Sequence, residues 1–360
     1  MTDRREPEGR MNRRRFVAGA AGAAGAAGAL PFLNTRPVKA QGRYKVRIGS
    51  VWKQDNLTPD VEQEFMRFLR EYSNDEFDPE FFPAGSLGSA LERSQKLQSG
   101  TLEVSNTSLS NFASYVPLYN ALNFPYVCRG QEGTRAAIKN GIEITRREQF
   151  RSVGLQAARE KGFIFGFWTP MGVRQVALRA DMNRTVAKPE DLKGVKMRVT
   201  GSLVERRTFE FLGANGVPIA WPETFTALQK GVADGIHNSS VSIYGFNFHE
   251  VVGSVTRTNF YPTLNLYAAS RRWYDQLPEH LQEAFRKACD DAGELQREKL
   301  AASEEKAASG IRDAGAEFYT PTQSEYDQFI DQVGYQNKKW EPVIKEVVGD
   351  LETFRDILSL

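Results

Sequence analysis

Stretches patterned as strands and stretches patterned as helices alternate along this chain, and the alternation runs twice. In the first run, Tyr44 to Val51 alternates apolar and polar residues and ends at a turn carrying Gly49, which reads as a strand. Thr58-Pro59-Asp60 has the residues of a helix start, with proline at the first helical position, and Val61, Phe65, Phe68 and Leu69 then recur on one face. A strand near Phe81, a loop through Pro83 and Gly85, a helix from Ser89 to Gly100 and a strand over Leu102 to Asn106 follow. The second run begins after Gly172, with strands over Val173 to Arg179 and Val195 to Val199. Ser202-Leu203-Val204-Glu205 is a capping box that opens a helix ending at Gly213. A strand over Val217 to Trp221 and a helix over Pro222 to Lys230, stopped by Gly231, complete it.

Such alternation specifies an α/β architecture, with helices packed on a largely parallel sheet. A chain of 360 residues is longer than one core usually organises, so two α/β lobes are expected. No repeat or low-complexity tether separates the two runs, and the lobes should therefore share strands. From Pro278 the pattern changes to a helix that continues past Leu281, Phe285, Ala288 and Leu300 towards Ser309. At about 1.5 Å per residue this makes a rod of roughly 45 Å, long enough to span both lobes.

The charge is divided between two segments. Residues 1–40 hold eight basic residues, six of them arginines before Phe16, against Asp3, Glu6 and Glu8, so the net charge of +2 conceals an acidic remainder. Met11-Asn12-Arg13-Arg14-Arg15-Phe16 opens a run of alanine and glycine to Leu33, and Val38-Lys39-Ala40 carries the small residues a signal peptidase reads. The segment is similar to a twin-arginine export signal, with cleavage expected after Ala40 and a mature chain in the periplasm. A membrane anchor is the alternative, but the apolar run is 18 residues of mostly Ala and Gly. The near-neutral balance excludes a dedicated nucleic-acid binder. Cys128 and Cys289 lie far apart in sequence and read as two buried thiols.

Motifs of catalysis do not stand out. The chain has no Gly-x-Gly-x-x-Gly after a strand, no phosphate loop, no Gly-x-Ser-x-Gly and no His-Glu-x-x-His, and neither a cofactor nor a metal is expected. Weight shifts to binding. Val195-Lys196-Met197-Arg198-Val199 places Arg198 at the carboxyl end of a strand, just before the capping box, and that end faces the ligand crevice in open α/β sheets. A guanidinium beside helix N–H groups holds a carboxylate by two parallel hydrogen bonds. Pairing with Glu205 or Asp191 is the alternative. Arg174 shares a strand face with Val176 and Leu178, points inward, and needs an anion there, either a bound carboxylate or a structural acid.

These segments carry a resemblance. Pro189-Glu190-Asp191-Leu192-Lys193-Gly194-Val195-Lys196-Met197-Arg198-Val199, then Leu212-Gly213-Ala214, Val217-Pro218-Ile219 and Ala227 through Gly235 resemble, in order and spacing, the solute-binding proteins of tripartite ATP-independent periplasmic (TRAP) transporters. Pro83 to Gly88, Ser99 to Glu103 and Phe124-Pro125-Tyr126 match the amino-terminal half of that family. The resemblance implies a type II-like periplasmic binding protein: two α/β lobes that share strands, close over a ligand, and are crossed by a long helix. It implies a receptor that delivers an organic acid to a sodium-driven membrane permease and catalyses nothing. Arg198 falls on the arginine that holds the ligand carboxylate, Arg174 on a second arginine near it, Trp221 on an aromatic over the ligand, and Asn238 on an asparagine donating to the same carboxylate.

The first lobe departs from the sialic-acid members, with Val51, Asn106, Thr107 and Ser108 where polar and acidic contacts stand, so Thr107 and Ser108 become candidate contacts and sialic acid is disfavoured. Trp52 and Lys53 follow the first strand, where first-lobe loops line the cleft. Lys53 either neutralises a second carboxylate or is a solvated loop lysine; Trp52, Trp168 and Trp221 could instead line a pocket for an aromatic acid. The expected organisation is a signal over 1–40, a first lobe over 41–171 to which 264–305 returns or from which it spans, and a second lobe over 172–263 to which 306–360 returns. A monomer is expected, with the long helix as the surface a dimer would use. The competing readings are a secreted cofactor-dependent enzyme and a ligand-sensing subunit of a membrane signalling protein.

Overall fold

A computed structural model describes residues 44–53, 59–129 and 132–358. The export signal and its cleavage after Ala40 lie outside the described residues, as does the helix-start residue Thr58. Among the described residues eleven strands form two mixed sheets. The first contains β1 (Tyr44–Gly49), β2 (Phe77–Phe82), β3 (Val104–Ser108), β4 (Phe163–Val173) and β10 (Pro262–Ser270), in the order β2-β1-β3-β10-β4. The second contains β5 (Gln175–Arg179), β6 (Lys196–Val199), β7 (Asn215–Pro218), β8 (Gly235–Asn238), β9 (Val252–Thr256) and β11 (Glu317–Tyr319), in the order β11-β9-β5-β8-β6-β7.

The sheets are mixed because each takes in a strand arriving from the other. The chain leaves the first sheet at the end of β4, turns at Gly172 and Arg174, and enters the second as β5, antiparallel to both β8 and β9. It returns from β9 to β10, which runs antiparallel to both β3 and β4. Two strand pairs thus join the lobes within one unit running from Gly42 to Leu360. The expectation of largely parallel sheets holds for β1, β2 and β3 and for β6, β7 and β8, and fails at these crossings.

The long helix covers Glu279–Asp313, 35 residues, with Pro278 at its cap. Its buried face changes partners along its length. Leu281, Phe285 and Ala292 pack in the first-lobe core with Phe65, Phe167 and Tyr267, whereas Ile311 packs with Ile236, Ile243 and Val255 of the second lobe. The helix also touches a crossing. Gly172 has φ +97°, and a Cβ there would sit 2.4 Å from Glu304 Oε1. The Gly172→Ala variant is therefore expected to lose about 1–3 kcal/mol of stability, from left-handed strain and the displaced glutamate. Urea denaturation checks this, and an unchanged midpoint would show that the crossing tolerates a side chain.

The carboxyl-terminal segment divides. Tyr326, Phe329 and Val333 join the second-lobe cluster with Val195 and Phe260. The helices Glu341–Val348 and Leu351–Leu358 instead turn Val343, Ile344, Phe354 and Ile357 onto the first-lobe cluster. Phe124 lies 5.0 Å from both Trp340 and Phe354, ring centroid to centroid. Both helices are short and strongly one-sided, and their apolar faces find cover where the first lobe exposes aromatic rings. Cys128 and Cys289 are buried free thiols.

Candidate functional site

Lys196 to Val199 forms strand β6 as the alternation implies, between β8 and β7, and Met197 and Val199 are buried in the second-lobe core. Arg198 on the opposite face is also buried, at 3% exposure. Its Nε donates to the Ile219 carbonyl at 2.9 Å, and its guanidinium lies 5.2 Å over the Trp221 ring. No carboxylate lies within ion-pair distance of Arg198 among the described residues, and neither Glu205 nor Asp191 pairs with it. Asp191 accepts instead from the Ala187 and Lys188 backbone N–H groups. Burial pushes the Arg198 guanidinium down to about 10, against the pull of Glu205, so it is charged at neutral pH. Its terminal nitrogens have no protein acceptor among the described residues.

Glu205 is fully buried and belongs to Arg174, whose Nη1 donates to its Oε1 at 2.6 Å. The second carboxylate oxygen accepts from the Thr200 N–H at 2.7 Å and from the Thr200 hydroxyl. The capping box is therefore half made. Ser202 Oγ accepts from the Glu205 N–H, but the glutamate side chain does not reach back to Ser202, because the buried guanidinium takes it. Of the two partners open to Arg174, a bound carboxylate or a structural acid, it is a structural acid that supplies the charge. Arg174 also donates to the His237 carbonyl at 2.9 Å and to Ser110 Oγ at 3.3 Å. Burial alone would raise the Glu205 carboxyl; Arg174, His237 and Arg198 outweigh it and hold the group well below the carboxylate range. Burial pushes the His237 ring down to about 4, despite Glu205 nearby. The ring is neutral at pH 7.

Between the sheets lies a cavity lined from both lobes. Arg198, Arg174, Asn238 and Trp221 line it from the second lobe; Trp52, Thr107 and Ser108 line it from the first. Asn238 Oδ1 accepts from the Ser239 N–H at 2.9 Å, which leaves the amide nitrogen for another partner. Trp221 opens a helix, Trp221–Gln229, where the sequence pattern suggested the end of a strand. The Trp52 ring packs tilted against Phe246, centroids 4.5 Å apart, and its indole N–H, the Asn106 amide nitrogen and the Thr107 and Thr263 hydroxyls are buried without partners. Lone buried polar groups cost about 1–3 kcal/mol each, so a wall that holds four of them suits a polar ligand.

Lys53 is not in this wall. It is exposed and borders a neighbouring opening at the cavity mouth, beside Val51, Trp221 and Glu250. Trp168 packs in the first-lobe core against Phe165 and Tyr119, outside the cavity. Arg93 does line the cavity, and the sequence pattern did not single it out. Its signal was its place on a helix face, four residues before the buried Leu97. Among the described residues no group of three His, Cys, Asp or Glu side chains could hold a metal ion, and no helix is long and apolar enough to cross a membrane.

Two lobes that exchange strands, lie along one helix and close a polar cavity between them define a type II periplasmic binding protein. A TRAP periplasmic solute-binding protein of Shewanella oneidensis, solved with bound succinate, shares the fold with a TM-score of 0.79 at 20% identity, over 88% of this chain and 99% of that one. The signature of the bacterial extracellular solute-binding proteins, family 7, matches residues 48–342, and the chain belongs to that family. It is 24% identical over 291 residues to the 2,3-diketo-L-gulonate-binding periplasmic protein of Escherichia coli K12, covering 81% of this chain and 85% of that one. It is 25% identical over 296 residues to the C4-dicarboxylate-binding periplasmic protein of Vibrio cholerae, covering 79% and 81%. These are solute-binding transport proteins, and the chain is one of the TRAP type, not an enzyme.

Proposed function

We propose that the chain captures a small organic acid by clamping its carboxylate on Arg198 and hands it to a sodium-driven membrane permease. The observation that carries this reading is the buried Arg198 guanidinium, which has a backbone carbonyl on Nε and no acid on its terminal nitrogens. Two parallel N–H groups match the two oxygens of a carboxylate. Asn238 supplies an amide nitrogen from the adjacent strand, and Trp221 a ring beneath the guanidinium. Arg174, already neutralised by Glu205, orients the pocket and contributes little net charge. Trp52, Thr107 and Ser108 meet the ligand from the first lobe, so closure brings a second set of partners to it. Lys53, at the mouth, steers anions inward rather than holding them. That the relatives named above bind an acid, by name or in their crystals, supports the chemistry. Export behind a twin-arginine-like signal and action as a monomer complete the reading.

A thermal-shift screen of the purified protein against mono-, di-, keto-, sugar and aromatic acids tests it. A ligand at a hundredfold excess over its dissociation constant stabilises by about 2.7 kcal/mol, a shift of several degrees. The expected result is a rise with one acid class and none with its amide or alcohol. Equal rises with the neutral analogues would remove the carboxylate clamp.

A further inference from the structure

We propose that Arg93 is a second anion-binding group of the cavity, so that the ligand carries two anionic groups, one held from each lobe. This rests on reading the cavity as an acid site and adds what the far end of the acid must be. Arg93 stands on the helix Ala90–Ser99 of the first lobe and is 1% exposed. Its Nε donates to Ser105 Oγ at 3.0 Å, and its Nη2 to the Asn106 carbonyl at 3.0 Å. Its Nη1 donates to the Gly88 carbonyl at 2.5 Å. All three acceptors are neutral. Three of five N–H donors are used and two remain. The neighbouring acid Glu92 turns away and accepts from the Ser89 N–H at 2.7 Å. No carboxylate lies within ion-pair distance of Arg93 among the described residues.

The cavity wall therefore contains three guanidinium groups and, among the described residues, no acid; the acid behind it, Glu205, is taken by Arg174. Neither Arg93 nor Arg198 has a carboxylate within ion-pair distance among the described residues, and the Glu205 that pulls on Arg198 is bonded to Arg174. Buried cations left so favour an anion that enters between them. Strand β1 makes room for the first-lobe arginine, because a Cβ on Gly49 would come 2.9 Å from Arg93 Cδ. The groups around it share its polarity. The Trp52 indole N–H can only donate, and both it and the Asn106 amide nitrogen are buried without partners. That end of the cavity offers hydrogens to an acceptor-rich, negative group. Lys53, the residue whose type and place first suggested a second carboxylate, lies outside the cavity, and Arg93 takes that role from within.

A monoanion engages Arg198 alone and leaves Arg93 uncompensated. A dianion is held by both lobes at once and gains affinity only when they are together, which is the differential affinity that closure needs.

The test is calorimetry on three matched pairs: succinate with succinamate, glutarate with glutaramate, and galactarate with galactonate. In at least one pair the diacid should bind 30-fold or more tightly than its partner, and Arg93→Met should erase that ratio. The wild-type ratio decides the matter even if the variant does not fold. Monoacids binding as well as diacids, an unchanged ratio in Arg93→Met, or no binding in any pair would overturn the proposal. The acid reading is judged separately: a monoacid of any class that binds and is lost in Arg198→Lys sustains it while this inference falls.

Discussion

Arg198→Lys should bind the acid ligand at least 100-fold more weakly than the wild type, as measured by titration calorimetry. An ammonium cannot offer two parallel N–H groups, and it also gives up the bond from Nε to the Ile219 carbonyl that fixes the plane of the guanidinium. A hundredfold loss is about 2.7 kcal/mol, in the range of a charge-assisted pair inside a dry cavity. The same residue should show the opposite sign in stability. Arg198 is a buried cation without an acid beside it, so Arg198→Met removes a desolvation cost and loses one hydrogen bond of about 1 kcal/mol. The ligand-free Arg198→Met protein is expected to melt at or above the wild-type temperature while failing to bind. Retained affinity in Arg198→Lys would sink the clamp. A marked loss of ligand-free stability in Arg198→Met would make Arg198 a structural residue.

The second large effect belongs to the cluster beneath the cavity. Glu205→Gln should destabilise the protein by about 3–5 kcal/mol, because it strands the Arg174 charge in a site with no other acid. Acid should do by titration what the substitution does by design. The Glu205 carboxyl is depressed in the folded state, so its contribution is complete above the unfolded value near 4.5 and is lost as pH falls towards its folded value. His237 is depressed from 6.5 to about 4, so the unfolded chain takes up its proton first, and stability declines as pH falls from 6.5 through 4. Glu62 and Glu304, both raised to about 7 by burial, act with the opposite sign over the same range, so each assignment is read from the difference between wild type and variant. The gap in urea midpoint between wild type and His237→Phe should shift against the wild type as pH falls from 6.5 through 4, and the gap to Glu205→Gln should close as pH falls below 4.5. A gap that does not change with pH in its window would contradict that residue's assignment.

The parts of this molecule that could be read from sequence are those governed by local rules. The β6 alternation, the start of the long helix at Pro278 and the helix stop at Gly100 each follow from a few neighbouring residues. Strand β10 gave no such signal, because all nine of its residues are buried and nothing alternates. With β10 unread, the strand exchange that joins the lobes could be expected but not placed. Glu205 shows the same limit in the site: its local pattern predicts a return to Ser202, and a guanidinium 31 residues away decides otherwise. Seven of the nine candidate side chains line the cavity; Trp168 packs in the core, and Lys53 misses because one residue past Trp52 the loop already faces solvent. Arg93 was passed over because an arginine on an amphipathic helix ordinarily belongs to the wet face.

The last two helices have a consequence for how the polypeptide acquires its structure. Trp340, Phe354 and Ile357 complete a hydrophobic cluster that otherwise consists largely of residues between Leu97 and Phe163. The amino-terminal lobe therefore lacks part of its own interior until these residues have been synthesised, and its aromatic rings stay uncovered until then. Folding from the amino terminus onward is closed to such a chain. Its slow step must bring together segments some 200 positions apart, the kind of long-range closure that delays folding and exposes nascent chains to aggregation.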